Sequence, residues 1–201
     1  MNHEVNRIVQ VIQGGGVVLI ATDTVYGLAA LPSDEKSVTK IYELKKRPQN
    51  MFLPIMVADV KELERLSLDV NDIARRLFES DLVPGAITFI LGFKNNSVKP
   101  TWLKTREEIA TRIPNNALLL SVLRKTGPLL VTSANKHGQS HTSNNVNDIL
   151  IELNGTPDLI VEDGPGKEVP STIINCRFNP PIIERNGAIP IDIINKILKD
   201  E

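Results

Sequence analysis

The chain has 201 residues, of which 41% are hydrophobic and 23% are charged, and this ordinary composition excludes a disordered or fibrous protein. Its 23 basic and 24 acidic residues leave a formal net charge of -1, so overall charge gives no argument for nucleic-acid binding and any basic groove must be local. The single cysteine, Cys176, excludes an intrachain disulfide, and no apolar run reaches the roughly 20 residues of a membrane span, so we expect a cytoplasmic protein without membrane contact.

The first predicted elements are a helix and a buried strand. Residues 3–13 carry apolar side chains at helical spacing, and Gly14-Gly15-Gly16 follows them as a stop. A phosphate-binding loop needs its glycines between a strand and a helix, whereas these lie between a helix and a strand, so we expect them to end the helix. The wholly apolar residues 17–21 then predict a buried strand.

A second helix is predicted after Ser33, which can cap its first turn, and this helix ends near Pro48. Because proline disfavours helical backbone in the residue before it, we expect an extended chain there, with Lys45 and Arg47 on one face. Taken alone, Lys45 is more typical of an exposed helix end, where a cation is favoured by the helix dipole.

The rest of the chain alternates between predicted strands and helices, which indicates an α/β fold in one domain, residues 1–201. The strands are predicted at 54–57, 86–91, 109–113 and 128–132, and the helices at 59–66, 71–80, 116–125 and 144–153. Short apolar runs follow one another closely near the C-terminus, at 159–161, 172–174 and 182–183, so we expect antiparallel strands that make the sheet mixed. A last helix is predicted to begin at Pro190.

Two apolar runs end in polar side chains that lie two residues apart. Thr22 and Thr24 follow the first strand, and Ser133 and Asn135 follow the run that ends at Val131. Residues i and i+2 share one face of extended backbone, so each pair is expected to point together from a strand end. Open α/β sheets bind ligands at strand ends, which makes both pairs candidate site residues.

Cations complete a set of hydrogen-bond donors. Arg112 lies in an apolar run, where a charge without a partner is costly, and Ser171 and Arg185 adjoin the last predicted strands. Together with Lys45 and Arg47, these groups suit a phosphate or carboxylate ligand, because arginine binds oxyanions through strong, directional bonds. A solvated surface is the alternative interpretation of the same residues.

The histidines give no sign of a hydrolytic or metal site. None of His3, His137 and His141 adjoins a serine nucleophile motif or stands at metal-ligand spacing, so we reject a hydrolase triad and expect no metal held by the protein. His137 and His141 are expected in a loop, which could bring one of them near a ligand. Cys176 is expected to be a small buried core residue.

Five short motifs resemble, in order and spacing, those of the YrdC-like threonylcarbamoyl-AMP synthases. They are Thr22-Asp23-Thr24-Val25-Tyr26-Gly27-Leu28, Lys45-Lys46-Arg47-Pro48, Ser133-Ala134-Asn135, Ser171-Thr172-Ile173-Ile174 and Arg185-Asn186-Gly187-Ala188-Ile189. The match runs over almost the whole chain and resembles the short form of the family, without its second domain. The chain departs from the pattern at Lys46, where glycine is common, at Met51, where a polar residue is frequent, and in the loop 136–142.

The resemblance implies a twisted mixed β-sheet flanked by helices and curved around a positively charged cavity. It also implies that L-threonine, bicarbonate and ATP, with Mg²⁺, give threonylcarbamoyl-adenylate and pyrophosphate, and that downstream machinery uses the product to form threonylcarbamoyladenosine in tRNA. By the same motifs, ATP is expected to bind Arg47, Ser133, Asn135 and Arg185, with Lys45 and Arg47 as catalytic cations, and L-threonine is expected to bind Thr24, Arg112 and Ser171.

Two other functions stay open. A non-catalytic module of the same fold could bind an RNA backbone in a local basic concavity, although aromatic residues make up only 4% of the chain and supply few surfaces for base stacking. A carbamoyl-transferring enzyme of related fold would normally need additional domains.

Overall fold

The structure, a computed structural model, describes residues 2–138, 143–162 and 169–199. Its strands form one sheet, in the order β7-β1-β2-β6-β3-β5-β4-β8-β9. The strands are β1 (Val18–Ala21), β2 (Tyr26–Ala30), β3 (Ile55–Met56), β4 (Ile87–Gly92), β5 (Glu108–Arg112), β6 (Leu129–Ser133), β7 (Leu159–Val161), β8 (Thr172–Asn175) and β9 (Ile182–Arg185). The helices are α1 (Asn2–Gln13), α2 (Glu35–Lys45), α3 (Val60–Arg65), α4 (Asp72–Phe78), α5 (Ala117–Thr126), α6 (Val146–Glu152) and α7 (Ile191–Lys199).

The sheet is mixed and flanked by helices, which confirms the predicted α/β class. Strand β2 was not among the predicted elements, and it pairs antiparallel with both β1 and β6. Its sequence, Tyr26-Gly27-Leu28-Ala29-Ala30, contains a glycine and two alanines, which have low strand propensity, so burial in the sheet overrides the local preference.

The expectation for the three C-terminal apolar runs is correct only for the last one. Strand β9 pairs antiparallel with β8, but β8 pairs parallel with β4, and β7 pairs parallel with β1 at the opposite edge of the sheet. Strands β8 and β9 are thus neighbours in the sheet, whereas β7, which is also close to β8 in sequence, lies at the opposite edge. The antiparallel content comes mainly from the neighbours β1–β2, β2–β6 and β4–β5.

Two hydrophobic clusters lie on opposite faces of the sheet. The larger cluster includes Leu19 of β1 and Phe89 of β4, and the smaller one includes Ile20 of β1 together with Ile8 of α1 and Leu119 of α5. Among the described residues, the smaller cluster contains no residue of β4, β5, β8 or β9. Helices α1 and α5 therefore cover only half of that face.

The uncovered half of that face carries polar side chains. Because side chains alternate along a strand, Thr88 lies opposite Phe89 in β4, and Arg112 lies opposite the neighbouring core residue Ile113. Arg112 also pairs in register with Met56 of β3, which belongs to the smaller cluster. The polar side chains therefore lie on the same face of the sheet as the smaller cluster, in the half formed by β4, β5, β8 and β9.

Two local expectations about α2 are wrong. Its N-cap is Asp34, whose carboxylate accepts from the Ser37 amide, so Ser33 lies outside the cap. At the other end Lys45 is the last helical residue, and Lys46 takes a left-handed conformation with φ of 49°, so the backbone at 45–47 is not extended. Lys45 and Arg47 come together through a left-handed helix cap instead.

Two further features of the chain concern its first helix and its apolar segments. The glycines after α1 end that helix as predicted, and Gly15 has φ of 80°, a conformation that favours glycine. Among the described residues, no helix has both the length and the apolarity to cross a membrane.

Candidate functional site

The turn between β1 and β2 brings Thr22 and Thr24 together. Their hydroxyl oxygens lie 3.0 Å apart, as the predicted pairing requires. The Thr22 hydroxyl donates to the carbonyl of Val25 at 2.7 Å, so the Thr24 hydroxyl acts as the donor between the two threonines. Both side chains are buried, and the backbone amides of Thr24 and Val25 also donate to the Thr22 oxygen. The turn is therefore held rigidly, with the Thr24 oxygen free to accept one more bond.

Arg112, the last residue of β5, donates that bond. Its Nη1 donates to Thr24 Oγ1 at 2.8 Å, its Nε to the Gly85 carbonyl at 2.8 Å, and its Nη2 pairs with Asp23 Oδ1 at 2.6 Å. Burial lowers the pKa of the Arg112 guanidinium, and the charge of Asp23 opposes this shift. Asp23 is thus the charged partner that Arg112, in its apolar run, was expected to need.

Arg185 and Ser171 meet beside Arg112. The Arg185 guanidinium donates to the Ser171 carbonyl at 3.1 and 2.9 Å and to its hydroxyl at 3.1 Å, and the same hydroxyl lies 2.7 Å from Thr88 Oγ1. Phe89 of β4 pairs antiparallel with Thr111 of β5, so Thr88, which contacts Ser171, lies next to Arg112 in the sheet. Burial lowers the pKa of Arg185, and repulsion from Arg112 lowers it further. We call Thr24, Arg112, Ser171 and Arg185 the arginine cluster.

Glycine at position 187 allows the close approach of these segments. A Cβ atom there would lie 2.4–2.5 Å from backbone atoms of Pro170 and Ser171. The sequence motif around Arg185 therefore includes a glycine for a steric reason.

A second cluster forms around the ammonium group of Lys45. It donates to the carbonyls of Ser133 and Asn135 and lies 3.4 Å from Asn135 Oδ1, which also accepts from the Ser133 hydroxyl at 2.6 Å. The predicted pairing of Ser133 with Asn135 is thus confirmed. Lys45 is only 2% exposed, so its assignment to an exposed helix end is wrong. Among the described residues, it has no carboxylate within ion-pair distance.

Burial lowers the pKa of Lys45 to about 7, and the nearby charge of Arg47 contributes to the shift. Burial also lowers the pKa of Arg47, which is half-buried and donates to the carbonyls of Met51 and Phe52 at 3.1 and 3.0 Å. We call Lys45, Arg47, Ser133 and Asn135 the lysine cluster. A phosphate group brought near it would favour the protonated form of Lys45.

The two clusters adjoin through the Thr22–Val25 turn. Gly27 of β2 pairs in register with Ser133 of β6, and the Ala134 amide donates to the Tyr26 carbonyl at 2.8 Å. The turn that presents Thr24 to Arg112 therefore leads directly into the strand beside Ser133. The eight residues to which the resemblance assigns a ligand all belong to one or the other cluster, Thr22 lies in the turn between the clusters, and hydrogen-bond donors dominate both.

Arg106 is a buried cation that the sequence analysis missed. It is 8% exposed, its Nη1 donates to the Leu53 carbonyl at 3.0 Å, and its guanidinium lies 4.6 Å from the centre of the Phe52 ring. Burial lowers its pKa. A lone arginine in a predicted loop gives no sequence signal for such a position.

The remaining candidates contribute little chemistry. The backbone amide of His137 donates to the Lys45 carbonyl at 2.9 Å, whereas His141 lies outside the described residues. Cys176 is buried as expected, and burial raises the pKa of its thiol to about 12, so it is unreactive. Among the described residues, no three histidine, cysteine, aspartate or glutamate side chains are grouped to hold a metal ion.

Residues 10–187 match the Sua5/YciO/YrdC family, which carries the description "Telomere recombination". The chain is 34% identical over 184 residues to a threonylcarbamoyl-AMP synthase of Bacillus subtilis, with 90% of this chain and 53% of that one aligned. It is 36% identical over 183 residues to a putative threonylcarbamoyl-AMP synthase of Methanocaldococcus jannaschii, covering 90% of this chain and 84% of that one. The chain thus spans about half the length of the Bacillus relative.

Solved structures share the fold over nearly the whole chain. Sua5 of Pyrococcus abyssi, crystallised with L-threonine, superposes with a TM-score of 0.87 at 27% identity, over 100% of this chain and 58% of that one. YciO of Escherichia coli superposes with a TM-score of 0.83 at 28% identity, over 95% and 92%, and that protein is described as uncharacterized.

Proposed function

The chain belongs to the Sua5/YciO/YrdC family, and from that membership we propose that it is a threonylcarbamoyl-AMP synthase. In this reaction a nucleotidyl group is transferred: L-threonine, bicarbonate and ATP give threonylcarbamoyl-adenylate and pyrophosphate. The observation that carries the proposal is the contact of Arg112 with Thr24 in the turn that adjoins Ser133, because it puts a carboxylate-binding group beside a phosphate-binding group. The names of the Bacillus and Methanocaldococcus relatives support the same reaction.

L-Threonine binds the arginine cluster in this proposal. Arginine has five N–H donors in a planar fork, and three of the nitrogens of Arg112 already hold Asp23, Thr24 and Gly85 in place. The guanidinium is thereby oriented to receive the carboxylate of threonine, and the hydroxyls of Thr24 and Ser171 supply neutral polar partners. Asp23 keeps the local charge balanced while the site is empty of substrate.

ATP binds the lysine cluster together with Arg185. Arg47, Ser133, Asn135 and Arg185 hold the nucleotide, and Lys45 lies beside its phosphates. Buried cations without a carboxylate partner are costly, and a triphosphate supplies the missing negative charge. Mg²⁺ would be held by the phosphates of ATP and would supply further positive charge there.

Catalysis then depends on positioning the substrates and neutralising their negative charge, and it needs no nucleophile from the protein. The ammonium group of threonine and bicarbonate combine to a carbamate, with loss of one water molecule and one proton. A carbamate oxygen attacks the α-phosphorus of ATP, a P–O bond to the adenylate forms, and the bond to pyrophosphate breaks. Two anions must approach each other, so Lys45, Arg47 and Arg185 lower the barrier by neutralising charge.

The product is consumed by machinery that places threonylcarbamoyl on adenosine in tRNA. The proposed protein partner is therefore a tRNA-modifying transferase, and direct contact with RNA is a further part of the proposal.

Pyrophosphate release tests the proposal with the purified chain. We expect release to require L-threonine, bicarbonate and ATP together, and to fall to background when any one of them is omitted. Release that proceeds equally without threonine would contradict the proposed reaction.

A further inference from the structure

Side chains bind three consecutive backbone carbonyls, those of residues 51–53, in the loop that precedes β3. The Met51 carbonyl accepts from the Tyr42 hydroxyl and from Arg47 Nε, both at 3.1 Å. The next two carbonyls accept from Arg47 Nη2 and Arg106 Nη1, both at 3.0 Å. Three consecutive carbonyls are thus fixed by Tyr42, Arg47 and Arg106, so the side chain of Phe52 is presented from a rigid backbone.

The Phe52 ring contacts a buried guanidinium, and about half of the residue stays exposed. The guanidinium of the buried Arg106 lies 4.6 Å from its centre, yet the residue is 51% exposed. An exposed phenylalanine loses apolar burial, and among the described residues Phe52 belongs to neither hydrophobic cluster. A ring stacked on a guanidinium is instead a flat, preoriented surface for another π system.

The position of this ring relative to the lysine cluster limits what can stack on it. Arg47 donates to the carbonyls of Met51 and Phe52, and Lys45 ends α2 two residues before it, so Arg47 joins the backbone of Phe52 to the lysine cluster. In a nucleoside triphosphate one ribose separates the base from its phosphates. A base lying on Phe52 would therefore leave its phosphates within reach of the lysine cluster.

We propose that Phe52, backed by Arg106, is the surface on which the adenine base of ATP stacks. The proposal rests on the proposed ATP site and adds to it a base-binding residue that lies outside the motifs of the sequence. Arg106 is a positioning residue here, because it touches the ring and not the base.

Direct binding of a non-hydrolysable ATP analogue with an imido β,γ-bridge tests the proposal independently of catalysis. We expect Phe52→Ala to weaken binding of this analogue about 10-fold, equivalent to about 1.4 kcal/mol, and to leave binding of inorganic tripolyphosphate unchanged. Phe52→Trp should restore wild-type affinity, whereas Phe52→Leu, which keeps apolar area but lacks a π face, should stay weak. Phe178→Ala serves as the matched control, because it removes a phenylalanine of similar exposure that is distant in sequence from Phe52.

Several results would overturn the proposal. Equal affinity of wild type and Phe52→Ala for the analogue, or equal loss for the analogue and tripolyphosphate, would show that Phe52 does not contact the base. Loss of binding to an adenosine-rich RNA oligonucleotide without loss of analogue binding would assign the ring to RNA. Analogue binding that depends on Phe52 in a chain that makes no threonylcarbamoyl-adenylate would refute the proposed reaction and support the base site.

Discussion

Buried cations define the site at the scale of single residues. Lys45, Arg106 and Arg112 are each less than a tenth exposed, and of these three only Arg112 has a carboxylate partner among the residues that the structure describes. Lys45 and Arg106 donate to backbone carbonyls instead, which satisfies their hydrogen bonds without neutralising their charge. An anionic ligand would remove this imbalance, so we expect ligand binding and the charge of these residues to be coupled.

Replacing Arg112 should weaken the binding of threonine much more than the binding of ATP. In Arg112→Ala the threonine carboxylate loses a charge-assisted partner, so we expect threonine affinity to fall about 10- to 100-fold, whereas affinity for the ATP analogue should change less than about threefold. Calorimetric titration of each ligand measures this. The control is Arg177→Ala, which removes an arginine from an exposed pair with Glu108 and should affect neither ligand. Equal loss for both substrates in Arg112→Ala would contradict the assigned role.

Lys45 should make ATP binding dependent on pH. Its pKa of about 7 in the free protein lies below the usual 10.5, and phosphates favour the protonated form, so the pKa rises when ATP binds. Above pH 7 the free protein is mostly neutral at Lys45, whereas the complex stays charged up to its raised pKa. Binding therefore takes up a proton, and affinity falls as pH rises through this range.

Titrations at pH 8 in two buffers of different ionisation enthalpy count that proton. We expect uptake of up to one proton per nucleotide in the wild type and almost none in Lys45→Gln, which keeps a donor for the Ser133 and Asn135 carbonyls. Identical uptake in the two proteins would assign the proton to another group.

At the scale of elements, the start of α2 gives a clean test of the observed cap. The Asp34 carboxylate accepts from the amide of Ser37 at 2.8 Å and from its hydroxyl at 2.6 Å. Hydrogen bonding to these groups holds the pKa of Asp34 below its usual value, which identifies the charged carboxylate as the capping form. Loss of an N-cap costs about 1 kcal/mol.

We therefore expect Asp34→Ala to lower the free energy of unfolding by about 1 kcal/mol in urea, and Ser33→Ala, the neighbouring residue that the sequence favoured, to leave it unchanged. As the pH falls through the lowered pKa of Asp34, the stabilities of the two variants should converge, because protonation of Asp34 removes the stabilisation that its charged carboxylate confers at higher pH. A larger loss in Ser33→Ala than in Asp34→Ala would contradict the cap.

At the scale of the whole molecule, periodicity predicted most elements because their burial follows one period. Helix α1, with Val5, Ile8 and Ile12 buried at helical spacing, is such a case, whereas β4 was predicted from a continuous apolar run and is buried along nearly its whole length. Strand β2 was not predicted because glycine and alanine have low strand propensity. The position of β7 at the edge beside β1 was not predicted because pairing between strands far apart in sequence produces no local sequence pattern. Fold class was therefore predictable, but sheet order was not.

The site was predictable to the extent that it follows from spacing and motif. The pairs Thr22 with Thr24 and Ser133 with Asn135 followed from the two-residue period of extended backbone. The extended backbone expected at Lys45 and Arg47 was wrong, since Lys46 takes a left-handed conformation. Arg106 joins the site only through tertiary packing, which no spacing in the sequence encodes.

The central claim is that one site joins threonine, bicarbonate carbon and adenylate. Mass spectrometry of the product formed from ATP, L-threonine and ¹³C-bicarbonate tests it most directly. We predict a single adduct that contains adenylate and threonine and carries one heavy carbon, absent from Arg112→Ala at the same threonine concentration. An adduct of threonine and adenylate without the heavy carbon, or no adduct at all, would contradict the account.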